Sequence, residues 1–157
     1  MSIKDQLRQE LGKHTSGGPY AMSVQEDEKT LTCDIAEANP LAYRIDRFVL
    51  ATGALANASM DRLQKISEDL AARVNYLLEP IGPVERDHDQ CVVQMRSNPP
   101  QRDDDGSQYY ELLVRQGGEL ELRRYQKQPG QPRQTVSALL TSETLIRLAD
   151  DFAAVVA

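Results

Sequence analysis

Tyr109-Tyr110-Glu111-Leu112-Leu113-Val114-Arg115, then Gln116-Gly117-Gly118, then Glu119-Leu120-Glu121-Leu122-Arg123-Arg124-Tyr125 is the stretch that decides the fold. Two segments of alternating character flank a glycine pair, which is the pattern of a β-hairpin. Pairing chemistry fixes the register. With Gln116–Gly118 as a three-residue loop and a glycine in the left-handed position, Val114 faces Leu120 and Leu112 faces Leu122. Arg115 then faces Glu119 and Glu111 faces Arg123, both opposite-charge pairs. A two-residue Gly117-Gly118 loop would set Val114 against Glu121 and Leu112 against Arg123. It loses the apolar and the ionic pairs together, so the longer loop is predicted.

This register gives the hairpin an apolar face and an outer face on which Tyr109 meets Tyr125, with Leu113 nearby. Upstream, Cys91, Val93 and Met95 alternate with Val92, Gln94 and Arg96, and a polar loop covers Ser97–Ser107. Downstream, Pro129-Gly130-Gln131-Pro132 makes a turn before a last strand over Gln134–Leu140. Thr141 or Ser142 caps a final helix, with Glu143 in its first turn and Leu145, Leu148, Ala149, Phe152, Val155 and Val156 on its apolar face.

The first half has the same kinds of signal. Ser2 caps a helix over residues 2–12, with Ile3, Leu7 and Leu11 on one face and Gly12 to stop it. Tyr20, Met22 and Val24 form one strand and Leu31, Cys33 and Ile35 the next. They are joined by Glu26-Asp27-Glu28-Lys29, with Val24 opposite Leu31. In the third strand, Leu41–Thr52, apolar positions switch from odd (Leu41, Tyr43, Ile45) to even (Phe48, Leu50), which predicts a β-bulge near Asp46. Residues 58–79 read as a helix with Met60, Leu63, Ile66, Leu70, Val74, Leu77 and Leu78 along one face, ended by Pro80.

The order is α-βββ-α-ββββ-α. Strands come in consecutive runs, so the expected class is α+β, with an antiparallel sheet of about six to seven strands and three helices. The 157 residues fit a single domain spanning 1–157. An apolar fraction of 40% and a charged fraction of 27% are enough for a packed core and too apolar for general disorder. The net charge of −6 disfavours nucleic acid and anionic membranes as partners. No apolar run spans a bilayer and Met1–Asp5 begins no signal peptide, so a cytoplasmic protein is expected.

Each short motif has a plainer reading. Gly12-Lys13-His14-Thr15 lacks the first glycine of a phosphate loop and follows a helix. Asp103-Asp104-Asp105-Gly106, aligned on a calcium loop, puts Gln101 first and Leu112 twelfth, so it fails at both ends. Asp87-His88-Asp89 has no nucleophile beside it. Cys33 and Cys91 fall on the apolar parity of their strands, and no short Cys or His spacing marks a metal site. The sequence calls for neither metal nor cofactor.

The architecture resembles that of class I type III secretion chaperones. The resemblance rests on a helix closing at Leu11-Gly12, a three-strand run, a middle helix around Met60–Leu78, further strands, and a last helix opening Leu140-Thr141-Ser142-Glu143. It implies a homodimer that binds extended segments of partner proteins.

Two functions are carried forward. One is a non-enzymatic protein-interaction module, expected to be dimeric, that binds through Tyr109, Leu113, Arg123 and Tyr125. The other is a small-ligand site or an enzyme assembled from Glu85, Asp87, His88, Arg96 and Arg124, two of which sit on strands.

Overall fold

The computed structural model describes residues 1–104 and 106–157, with only the backbone at positions 83 and 84. Asp105, weighed above as a calcium ligand, lies outside the described residues. The chain forms helix α1 (Ile3–Lys13), strands β1 (Tyr20–Glu26), β2 (Lys29–Ala38) and β3 (Tyr43–Thr52), a short 3-10 turn, and helix α2 (Met60–Arg73). Strands β4 (Ile81–Asp87), β5 (Val92–Ser97), β6 (Gln101–Asp103), β7 (Gly106–Arg115), β8 (Glu119–Lys127), β9 (Gln134–Val136) and β10 (Ala138–Leu140) follow, and then helix α3 (Ser142–Val155).

All strands join one antiparallel sheet in the order β1-β2-β3-β8-β7-β5-β4, with β10 on β3, β9 on β8 and β6 on β7. The α+β class holds, with ten strands among the described residues in place of six to seven. One extra strand is β4, where Gly82 and Pro83 obscured the alternation and a bulge interrupts the pairing between Pro83 and Glu85. Another is the short β6, inside what reads as a polar loop.

The hairpin has the predicted register: Leu112 pairs Leu122, Val114 pairs Leu120, and Arg115 pairs Glu119. Gly118 sits at φ +98°, and a Cβ there would collide with the Thr52 carbonyl oxygen. That oxygen-lined corner is why the loop ends in glycine. The bulge at Asp46 is also present, since Asp34 pairs Arg47 while Ile35 pairs Ile45. Val24 opposes Leu31, but Glu26 pairs Lys29, so the connecting loop is only Asp27-Glu28. Asp27 takes the left-handed conformation (φ +53°), which aspartate tolerates.

The predicted last strand is divided. β3 and β8 pair only over Phe48–Ala51 and Glu119–Leu122, and then part. Gln134–Leu140 fills the fork, first along β8 and then along β3. At the crossover the Ser137 hydroxyl donates to the bulged Asp46 carboxylate (2.6 Å).

All three helices pack on one face of the sheet. Ile3, Leu7, Leu63, Leu70, Leu148 and Phe152 share one core with Leu31, Phe48, Leu50, Met95, Leu112 and Leu122. Ser2 caps α1 by accepting from the Asp5 amide (3.1 Å), and Ser59 caps α2 by accepting from the Arg62 amide (3.2 Å). α2 stops at Arg73, short of the predicted 79. Beyond it the Tyr76 hydroxyl donates to Asp151 on α3 (2.7 Å) and Arg147 lies over its ring (4.1 Å). That docking turns the chain, buries Leu77, and leaves Leu78 at φ +67° and 97% exposed rather than on the helix's apolar face. Cys91 lies in the β4–β5 turn at φ +53° rather than on a strand, and it still packs, partly buried, against the core. No helix among the described residues is long and apolar enough to cross a membrane.

Candidate functional site: the helix-free face of the sheet

Alternation along β7 and β8 sends Tyr110, Leu112, Val114, Leu120 and Leu122 into the helix-side core. Tyr109, Glu111, Leu113, Arg115, Glu119, Glu121, Arg123 and Tyr125 lie on the other face. Tyr109 and Tyr125 are non-neighbours in sequence but direct partners across the hairpin, and their rings stack at 6.0 Å with planes 29° apart. Arg96 of β5 covers Tyr109 at 4.6 Å, and Arg133, just before β9, covers Tyr125 at 3.9 Å. The result is a four-layer ladder, Arg96–Tyr109–Tyr125–Arg133, held by ring quadrupoles attracting guanidinium charge. Arg133 is oriented by donating to Glu111 (2.6 Å) and to the Tyr109 hydroxyl (3.4 Å). The hydrogen bond to Glu111 is the main reason its guanidinium holds its proton more tightly than usual.

Glu121 anchors the rest of the face. It is nearly buried, and a buried carboxylate needs compensation. Arg47 donates to it, and Arg115 and Arg123 each approach within 3.3 Å. Burial alone would raise its pKa; the Arg47 hydrogen bond and the charges of Arg123, Arg47 and Arg115 outweigh that and hold it below the usual range. This carboxylate redirects the ion pairs expected from the register. Arg115 and Glu119, like Glu111 and Arg123, are backbone partners, yet the arginines turn to Glu121. Glu119 takes Arg47 at 3.6 Å and Glu111 takes Arg133.

Of the residues expected to bind, Tyr109 and Tyr125 are brought into contact and Arg123 lies on the same face. Leu113 is on that face too, half-buried, but in a small cleft beside Val92, Gln94, Arg115 and Arg133. Glu111 and its ion pair stand between Leu113 and Tyr109, so the three do not make one apolar patch.

The alternative set does not assemble. Arg96 is on the helix-free face, while Arg124 points to the helix side. There Arg124 donates to Glu79 (3.0 Å), Gln108 (3.2 Å) and Gln101 (3.3 Å) and covers Tyr110 at 4.4 Å. Ser97 donates to the same Glu79 (2.7 Å) and accepts from the Tyr110 amide (2.8 Å). Asp87 is occupied in its own turn, accepting from the amides of Asp89 and Gln90 (both 3.1 Å). Among the described residues, no three acidic, His or Cys side chains are placed to hold a metal ion.

Sequence reasoning missed the arginine caps on the tyrosine pair and the burial of Glu79. The signal for Arg96 was its parity, which places it on the Tyr109 side of the sheet. Glu79 had none, because it was assigned to the end of a helix. Comparison with protein-family models, curated proteins and solved structures finds no match to this chain.

Proposed function

We propose that this chain is a non-catalytic protein-interaction module that self-associates through the helix-free face of its sheet, in the manner of a small dimeric secretion chaperone. One observation carries this reading. On a chain of net charge −6, this face gathers Arg47, Arg96, Arg115, Arg123 and Arg133, together with two stacked tyrosines, against Glu111, Glu119 and Glu121. Tyr and Arg are the residue types that carry most binding energy at interfaces.

Both signs lie within one patch, so two copies about a two-fold axis can set an arginine of one against Glu119 of the other. That makes the patch self-complementary. Rigid strands hold the tyrosines and Arg96, and the ion pair with Glu111 holds Arg133, so little side-chain freedom is lost on docking.

A photo-cross-linking side chain at position 113 is the test, with Lys65 on the exposed side of α2 as the control position. Covalent dimers from position 113 and none from position 65 are expected. Equal yields from both, or none from either, would refute the reading. The small-ligand alternative has its own support in a cavity beside Arg96.

A further inference from the structure

We infer that the cavity at the end of this face, between Arg96, Tyr109, Lys127 and Arg133, is a binding site for the phosphate group of a small organic phosphomonoester. The inference does not depend on the face's binding a protein.

The cavity measures about 560 Å³, within the range of small-molecule sites. Arg96 reaches it from β5, Lys127 from the end of β8 and Arg133 from the following turn, while Pro100 supplies an apolar wall. A guanidinium has five donors, and Arg96 uses none of them on a described residue; its Nε is buried without a partner. Its guanidinium lies over the Tyr109 ring. Lys127 donates only to the backbone carbonyls of Gln128 (3.1 Å) and Gln131. No carboxylate lies within ion-pair distance of either cation among the described residues, whereas Arg133 is balanced by Glu111.

Two positive charges with no ion-pair partner among the described residues therefore face one cavity in a protein of net charge −6. A phosphomonoester, close to a dianion at neutral pH, matches them in charge and offers three acceptor oxygens. Asp103 and Asp104 line the neighbouring cleft on the other side of Lys127, which favours a compact anion seated toward Arg96. Pro100 and the edge of Tyr109 leave room for an organic body behind the phosphate.

The test is isothermal titration calorimetry of the full chain with phenyl phosphate, benzoate and inorganic phosphate at constant ionic strength. Saturable one-site binding of phenyl phosphate is expected, roughly tenfold tighter than benzoate or inorganic phosphate. Arg96→Gln and Lys127→Gln should each weaken it by about tenfold. Lys127→Gln leaves the tyrosine ladder intact, so it decides the matter if Arg96→Gln fails to fold. Absence of saturable binding, equal affinity for benzoate or inorganic phosphate, or indifference to Lys127→Gln would overturn the assignment.

Discussion

Tyr109 and Tyr125 stack across the β7–β8 hairpin at 6.0 Å, and each ring is covered by an arginine, Arg96 over Tyr109 and Arg133 over Tyr125. The pair sits on the one face of the sheet that no helix covers. Tyr109 is buried there without belonging to the helix-side core. Arg96 over its ring, the stacked Tyr125 ring and Arg133 at its hydroxyl all contact it there, so the ladder is a second, smaller packing unit on the back of the sheet.

The ladder should be measurable as a coupling. In a cycle of Tyr109→Leu, Tyr125→Leu and the double variant, urea denaturation should give an interaction energy of about 0.5–1.5 kcal/mol. Strict additivity would show that the rings merely lie near each other.

Glu79 and Arg124 form an ion pair with side chains only 10% and 7% exposed. Arg124→Met leaves a buried carboxylate without its partner, and should cost about 3–5 kcal/mol. The double variant Glu79→Met/Arg124→Met should be more stable than the sum of the single losses implies, because no charge is left stranded. Denaturation curves of the three variants decide between coupling and simple addition.

Glu121 should control acid stability. Its pKa in the folded state lies below the ordinary 4.5, so the unfolded chain binds the proton more readily. The stabilisation is present in full above 4.5 and is lost as the pH falls through the lowered folded value. Glu121→Gln should therefore weaken the protein at neutral pH and flatten its acid-unfolding profile below pH 4.5. A profile parallel to that of the wild type would contradict this.

The two thiols should differ in reactivity. Burial, with a smaller contribution from Asp34, pushes Cys33 up to about 12, while Cys91 is half-exposed in a turn. A thiol reagent at neutral pH should modify Cys91 alone in the native protein and both cysteines in denaturant. Modification of Cys33 without unfolding would mean that the β2–β3 core opens locally.

Much of the fold was legible because side-chain alternation in a strand has a period of two and a register error inverts every position. Leu112, Val114, Leu120 and Leu122 admit one good pairing, and the parity switch from Ile45 to Phe48 admits one bulge. What could not be read depended on distant partners. α2 ends where Tyr76 meets Asp151, a residue far along the chain, so Leu78 was placed on a stripe that the helix never reaches. The fork filled by Gln134–Leu140 arises because β3 and β8 part company, which no local pattern in that segment records. At the candidate site the tyrosine pair followed from register alone. The ion pairs did not, since a nearly buried Glu121 draws arginines from three directions and overrides cross-strand proximity.

Sedimentation equilibrium of the wild type, Leu113→Arg and Leu70→Ala over a range of concentrations decides whether the helix-free face self-associates. The wild type should be a dimer, Leu113→Arg a folded monomer, and Leu70→Ala a dimer that is less stable to unfolding by about 2–5 kcal/mol. A strictly monomeric wild type, or a dimer unmoved by Leu113→Arg, would contradict it.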